Sequence, residues 1–143
     1  MKNRLFLSIM IILLMPGFAL SDVIVEIPIQ SENKEEIGFD FHISSYTYES
    51  TVGLTISFQP TEKLKTLSEI RVEARRFNQL LFNIPLKIEK EEDGSLVGEF
   101  SVRRNLLEET KIILICGDPL YQYSISLKSQ VTPAFSEVKE RLE

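Results

Sequence analysis

From residue 23 onward the chain alternates apolar and polar positions with a period of two, in seven successive stretches. The apolar sets are Val23, Val25, Ile27 and Ile29; Ile37, Phe39, Phe41 and Ile43; Val52, Leu54, Ile56 and Phe58; Ile70, Val72 and Ala74; Phe82, Ile84, Leu86 and Ile88; Leu96, Gly98, Phe100 and Val102; and Tyr121, Tyr123, Ile125 and Leu127. A helix would spread each set around its axis, whereas a strand puts every second side chain on one face. Each stretch is therefore predicted to be a strand with one buried face. Residues 112–116 (Ile-Ile-Leu-Ile-Cys) are apolar on both faces, which predicts an eighth strand at a central, doubly covered position.

The breaks between strands are turn-like. Asp93-Gly94, inside the acidic stretch 91–95, favours a tight hairpin with positive φ. Gly117-Asp118-Pro119 is expected to join the central strand to the last one. Pro28 and Pro85 cannot donate to a ladder, so the first strand and the strand near Pro85 belong at edges. Residues 61–68 are expected to hold one helical turn around Leu64 and Leu67, and residues 104–110 to cross between sheets. Together these predict an all-β fold, an antiparallel two-sheet sandwich of about eight strands with immunoglobulin-like or fibronectin-like architecture. The Cys…Trp…Cys core of antibody domains is absent, so the likeness is architectural. A small closed barrel is the alternative. Charges of both signs on the polar faces and the lack of aromatic girdles oppose a membrane barrel.

The segment ahead of the first strand has a different pattern. Lys2 and Arg4 precede an apolar run from Leu5 to Met15, broken only by Ser8 and ended by Pro16-Gly17. Small residues at Gly17, Ala19 and Ser21 supply cleavage-site spacing after Ala19 or Ser21. That order of charge, apolar core, breaker and small residues predicts a secretory signal peptide. The run is too short for an ordinary spanning helix, which needs about 20 residues. The domain plan is then a signal peptide (1–21), a sandwich (22–131) and a C-terminal tail (132–143). In the tail, Phe135, Val138 and Leu142 fall at helical spacing behind Pro133, giving a short amphipathic helix or a loosely packed tail.

Export changes the composition. Losing Lys2 and Arg4 leaves 14 of the 16 basic residues against all 21 acidic ones, a formal charge of −7. An acidic chain of this kind excludes nucleic acid as an expected partner. All three methionines leave with the signal, and the mature chain has no Trp, one His and one Cys. Cys116 has no partner for an internal disulfide; burial as a small hydrophobe is expected, with a homodimer bridged through Cys116 as the alternative. None of the asparagines begins an Asn-x-Ser/Thr acceptor, which together with the leader points to a bacterial envelope.

Reactive constellations are sparse. Asp40, His42 and Ser44 share one face of one strand and would compose a hydrolytic relay only if their side chains converged. Alternate residues on one face of a pleated strand stand roughly 6.5–7 Å apart, so a solvated sheet face is the expected reading. A zinc site would need the lone His42 and lone Cys116, 74 positions apart, and the acidic run Glu89, Glu91, Glu92 and Asp93 lacks the spacing of a calcium loop. No metal or cofactor is expected.

What remains is recognition. Arg71, Arg75 and Arg103 would form a basic patch if they lined one face, although pairing with Glu69, Glu73 or Glu99 on a neighbouring strand is the expected arrangement. Tyr46, Tyr48, Tyr121 and Tyr123 sit near strand ends, where tyrosines serve as partner anchors or as packing residues. The functional expectation is an exported, non-enzymatic sandwich, periplasmic or secreted. It binds another envelope protein as inhibitor, immunity factor, accessory or chaperone-like module, with Tyr46, Tyr48, Tyr121, Tyr123, Arg71 and Arg75 as contact residues and edge-strand addition as one mode. The alternatives are a structural module of a surface assembly, or a small hydrolase using Asp40, His42 and Ser44.

Overall fold

A computed structural model describes residues 23–130. The predicted signal peptide and the 132–143 tail lie outside those residues. The described chain runs β1 (Val25–Pro28), α1 (Lys34–Ile37), β2 (Phe41–Tyr48), β3 (Thr51–Phe58), a 3-10 turn (Leu64–Thr66), β4 (Glu69–Arg76), β5 (Gln79–Pro85), β6 (Ile88–Lys90), β7 (Leu96–Arg103), a second 3-10 turn (Arg104–Glu109), β8 (Thr110–Ile115) and β9 (Tyr121–Ser126).

Two sheets form, one ordered β1-β9-β8-β4-β5 and the other β2-β3-β7-β6. Lettering β2 to β9 as A, B, C, C′, D, E, F and G gives ABED opposite C′CFG, the strand order of immunoglobulin-like sandwiches. The inward sets of the central strands interdigitate as the alternation predicts, whereas Val23, Val25, Ile84 and Tyr121, expected on buried faces, are exposed. Val52, Leu54, Ile56 and Phe58 of β3 share one core cluster with Ile70, Val72, Ile112, Leu114 and Ile125 from the other sheet. Each such side chain contributes about 1.5–3 kcal/mol relative to exposure. β8 takes the middle of its sheet, and its outward Ile113 and Ile115 are buried too. The second 3-10 turn carries the chain between sheets, and Leu64 of the first is buried. No helix among the described residues is long and apolar enough to cross a membrane.

Three expectations are corrected. The stretch 82–89 is two strands: β5 ends at Pro85, the Leu86 N–H still donates to the Ile70 carbonyl at 2.9 Å, and the chain then enters the other sheet as β6. Pro85 has no N–H to extend a ladder, and the crossing raises the strand number among the described residues to nine. The strand predicted over 37–44 begins only at Phe41, because residues 34–37 close one helical turn that Gly38 ends at φ +91°. Finally β1 pairs in parallel with β9, Ile27 opposite Tyr123, while every other pairing is antiparallel.

Candidate binding surfaces

The outward face of the five-stranded sheet is charged but internally matched. Residues paired across neighbouring strands share a face, which sets Glu26, Lys111, Glu73 and Asn83 side by side with Arg71 and Arg75. Lys111 bridges Glu26 and Glu73, Arg75 Nε donates to Glu73 at 2.7 Å, Asn83 donates to the other Glu73 oxygen at 3.2 Å, and Arg71 Nε donates to Glu69 at 2.6 Å. Burial pushes the Glu26 carboxyl up, but hydrogen bonds from Lys111 and Ser124 and the Lys111 and Arg75 charges outweigh it and hold the group below its ordinary pKa. A depression of about 620 Å³ beside this network is lined by Glu26, Lys111, Ser124, Ser126, Glu108 and Glu109 among others. Its central ions, Glu26 and Lys111, are already spent on each other.

Arg71 and Arg75 thus pair with glutamates two residues back on their own strand instead of across strands as expected. Arg103 projects from the opposite sheet, across from Thr51, so the three arginines do not line one face. The tyrosines are divided as well. Tyr46 and Tyr48 stand on the outward face of the four-stranded sheet, 66% and 70% exposed. Tyr121 and Tyr123 lie at the start of β9, where Tyr123 meets Phe39 edge-on at 5.4 Å and carries Lys63 Nζ over its ring at 4.6 Å.

The relay residues are separate. Asp40 precedes β2 and faces Lys34 at 3.7 Å, His42 lies opposite Ser57 and Ser44 opposite Thr55. No hydrogen bond joins any two of the three. At the acidic hairpin, Asp93 Oδ1 accepts from the Ser95 N–H and hydroxyl, which lowers its pKa and tightens the turn that Gly94 makes at φ +86°. Among the described residues no group of three or more His, Cys, Asp or Glu side chains is placed to hold a metal ion. Cys116 is half-buried against the core, and burial pushes its thiol pKa up.

The largest departure from a globular surface is the β4–β5 hairpin. Its two-residue loop is Phe77-Asn78, with φ of +48° and +64°, the primed geometry that suits a two-residue hairpin. Asn tolerates that region; a phenylalanine there costs about 1–2 kcal/mol. Phe77 is also 98% exposed. Behind it a bulge places both Leu80 and Leu81 before Phe82, since Ala74 pairs with Phe82 and Arg75 with Leu80. Leu80, Leu81 and Ile84 are all exposed, although Ile84 was expected inside. It lies on an edge strand whose opposite sheet ends in the three-residue β6. The signal for this surface was present as Phe77-Asn78 between two alternating runs, an Asn at a turn spacing.

No family model matches the chain, and comparison with curated proteins and with solved structures finds no significant match.

Proposed function

We propose that this chain is an exported β-sandwich that acts by binding another protein of the cell envelope, not by catalysis. The observation that carries the reading is the β4–β5 hairpin. Phe77 is held in a costly backbone conformation at nearly full exposure, with Leu80, Leu81 and Ile84 exposed behind it. Folding gains nothing from a phenylalanine at that tip, whereas an apolar side chain raised above Arg75 and Arg76 is suited to enter a pocket on a partner. The charged residues nearby act as a polar rim, since Arg75 is matched by Glu73 and Arg76 by Glu109. The leader sequence supports an envelope location, and an inhibitor, immunity or accessory role fits a single small domain.

The test compares full-length chain with Phe77→Asn, both expressed with their own leader and cross-linked in intact cells. One envelope protein cross-linked stoichiometrically to wild type and lost in Phe77→Asn is the expected result. The same cross-link in both proteins, or none in either, would overturn the reading.

A further inference from the structure

We infer that the outward face of the four-stranded sheet is a carbohydrate site, which takes a chain of uncharged pyranose sugars stacked on Tyr46 and Tyr48. The inference goes beyond the β4–β5 hairpin, which belongs to the other sheet, and does not depend on it.

Pairing across β2, β3 and β7 fixes the rows of this face. Tyr48, Thr51 and Arg103 make one row, and Tyr46, Gly53 and Ser101 the next. Ser44, Thr55 and Glu99 follow, and His42, Ser57 and Val97 close the series. The two tyrosines are thus side by side, roughly 6.5–7 Å apart along β2.

Tyr46 is laid down across the sheet. Its phenol end reaches over β3, where a Cβ on Gly53 would overlap both the ring and its hydroxyl, yet two-thirds of the side chain stays open to solvent. A ring held against bare backbone offers a wide apolar patch close to the sheet. Such a patch suits the C–H face of a pyranose ring, which carries the positive edge that an aromatic face attracts. Tyr48, 70% exposed, extends the platform by one ring.

The surroundings of the rings are polar and unspent. The hydroxyls of Ser44, Thr51, Thr55, Ser57 and Ser101 have no partner among the described residues, and neither do those of the two tyrosines. The side chains of Arg103, Glu49 and Glu99 are also without hydrogen bond or ion pair among the described residues. Past Tyr48 the face opens into a depression of about 830 Å³, lined by Glu49, Ser50, Thr51, Arg103, Arg104 and Asn105, polar throughout.

These features select a sugar chain over other occupants. A tyrosine that anchors a protein stands up to enter a pocket, whereas Tyr46 lies down. The four rows hold one aliphatic side chain, Val97, in the row farthest from the depression, which leaves a protein interface without an apolar core. Nucleic acid bases would stack on the tyrosines, but their phosphates would meet Glu49 and Glu99 as well as Arg103 and Arg104. An acidic polysaccharide is disfavoured on the same ground. A neutral glycan is matched at every point, because its hydroxyls both donate and accept toward the serines, threonines, guanidinium and carboxylates.

The test is affinity electrophoresis of the full chain through native gels containing glycol chitin, hydroxyethylcellulose or galactomannan, with polygalacturonate as the acidic comparator. At least one neutral polysaccharide should retard wild type, and polygalacturonate should not. Tyr48→Ala should raise the polysaccharide concentration for half-retardation about tenfold, while Tyr46→Phe, which keeps the ring, stays near wild type. Gly53→Ala, which keeps both tyrosines but tips the Tyr46 ring off the sheet, should weaken binding as well. Phe77→Asn should be retarded like wild type even where it loses the envelope cross-link, which separates this face from the hairpin. No retardation by any of the three neutral polysaccharides, equal retardation by polygalacturonate, or unchanged retardation of Tyr48→Ala would each overturn the inference. Loss of the envelope cross-link in Tyr48→Ala with retardation unchanged would assign the face to a protein partner and overturn it too. Tyr48 lies outside the core cluster, so Tyr48→Ala decides even where Gly53→Ala unsettles the sheet.

Discussion

The ring of Tyr46 lies across Gly53, its directly paired neighbour on β3, so closely that a Cβ on Gly53 would overlap the ring. The glycine leaves a bare patch of backbone in the middle of a strand, and the tyrosine covers it while staying two-thirds exposed. Gly53→Ala should therefore cost about 1 kcal/mol by lifting the ring from the sheet. In a Tyr46→Ala background the same change should be neutral or stabilising, because the ring that the alanine would strike is then gone. Urea denaturation of the four proteins gives the coupling; additivity of the two changes would rule out the contact as its source.

Gly98 makes the inward counterpart. A Cβ there would stand 2.7 Å from Ile88 Cδ1 and 2.8 Å from Leu86 Cδ2, inside the core, where neighbours cannot swing into solvent. Gly98→Ala should cost about 1–3 kcal/mol, more than Gly53→Ala, as an overpacked interior does. A smaller cost at 98 than at 53 would mean that β6 yields easily. That outcome would fit its three-residue length.

Acid should weaken the fold through Glu26. Its folded-state pKa is depressed, so the native state favours the carboxylate and binds fewer protons than the unfolded chain. The resulting stability is complete above the ordinary carboxylate pKa and is lost as pH falls through the lower folded value. Between about pH 5 and pH 3, wild type should lose more stability than Glu26→Gln, which keeps the shape but cannot titrate. Parallel pH profiles for the two proteins would show that the Lys111 contact contributes nothing.

Cys116 tests whether the lone thiol serves as a core residue or as a bridge. Burial pushes its pKa up, so the reactive thiolate is scarce at pH 8. Alkylation of the native chain should be about tenfold slower than of the urea-unfolded chain, and non-reducing gels should show monomer. Fast native alkylation or a reducible dimer would favour the bridged homodimer.

The period-two pattern made the sandwich legible because alternation reports which face of a strand is buried. It does not report what the strand pairs with, so the parallel β1–β9 pairing and the change of sheet after Pro85 stayed hidden. Alternation was also extended too far back at residues 37–40, where inward Phe39 sits in a loop and is as buried as a strand residue would be. The Arg71–Glu69 and Arg75–Glu73 pairs were legible in principle, since positions two apart share a face. Tyr46 and Tyr48 could be read as anchors or as packing residues, and Phe77-Asn78 marked a turn but not the role of Phe77. Its importance comes from a positive φ and full exposure, and neither follows from residue type.

Phe77→Asn should make the protein more stable while removing its proposed function. The left-handed φ of +48° costs a phenylalanine about 1 kcal/mol or more, and asparagine tolerates it through local hydrogen bonding. The exposed ring makes no packing that the change would forfeit, so the difference appears as a gain of about 0.5–1 kcal/mol, or about 3–6 °C in Tm. Loss of binding with a gain in stability cannot be explained by misfolding, which ties the phenylalanine to recognition. A fall in Tm on Phe77→Asn would instead mean that the ring packs within the fold, and the hairpin would then lose its claim as a docking surface.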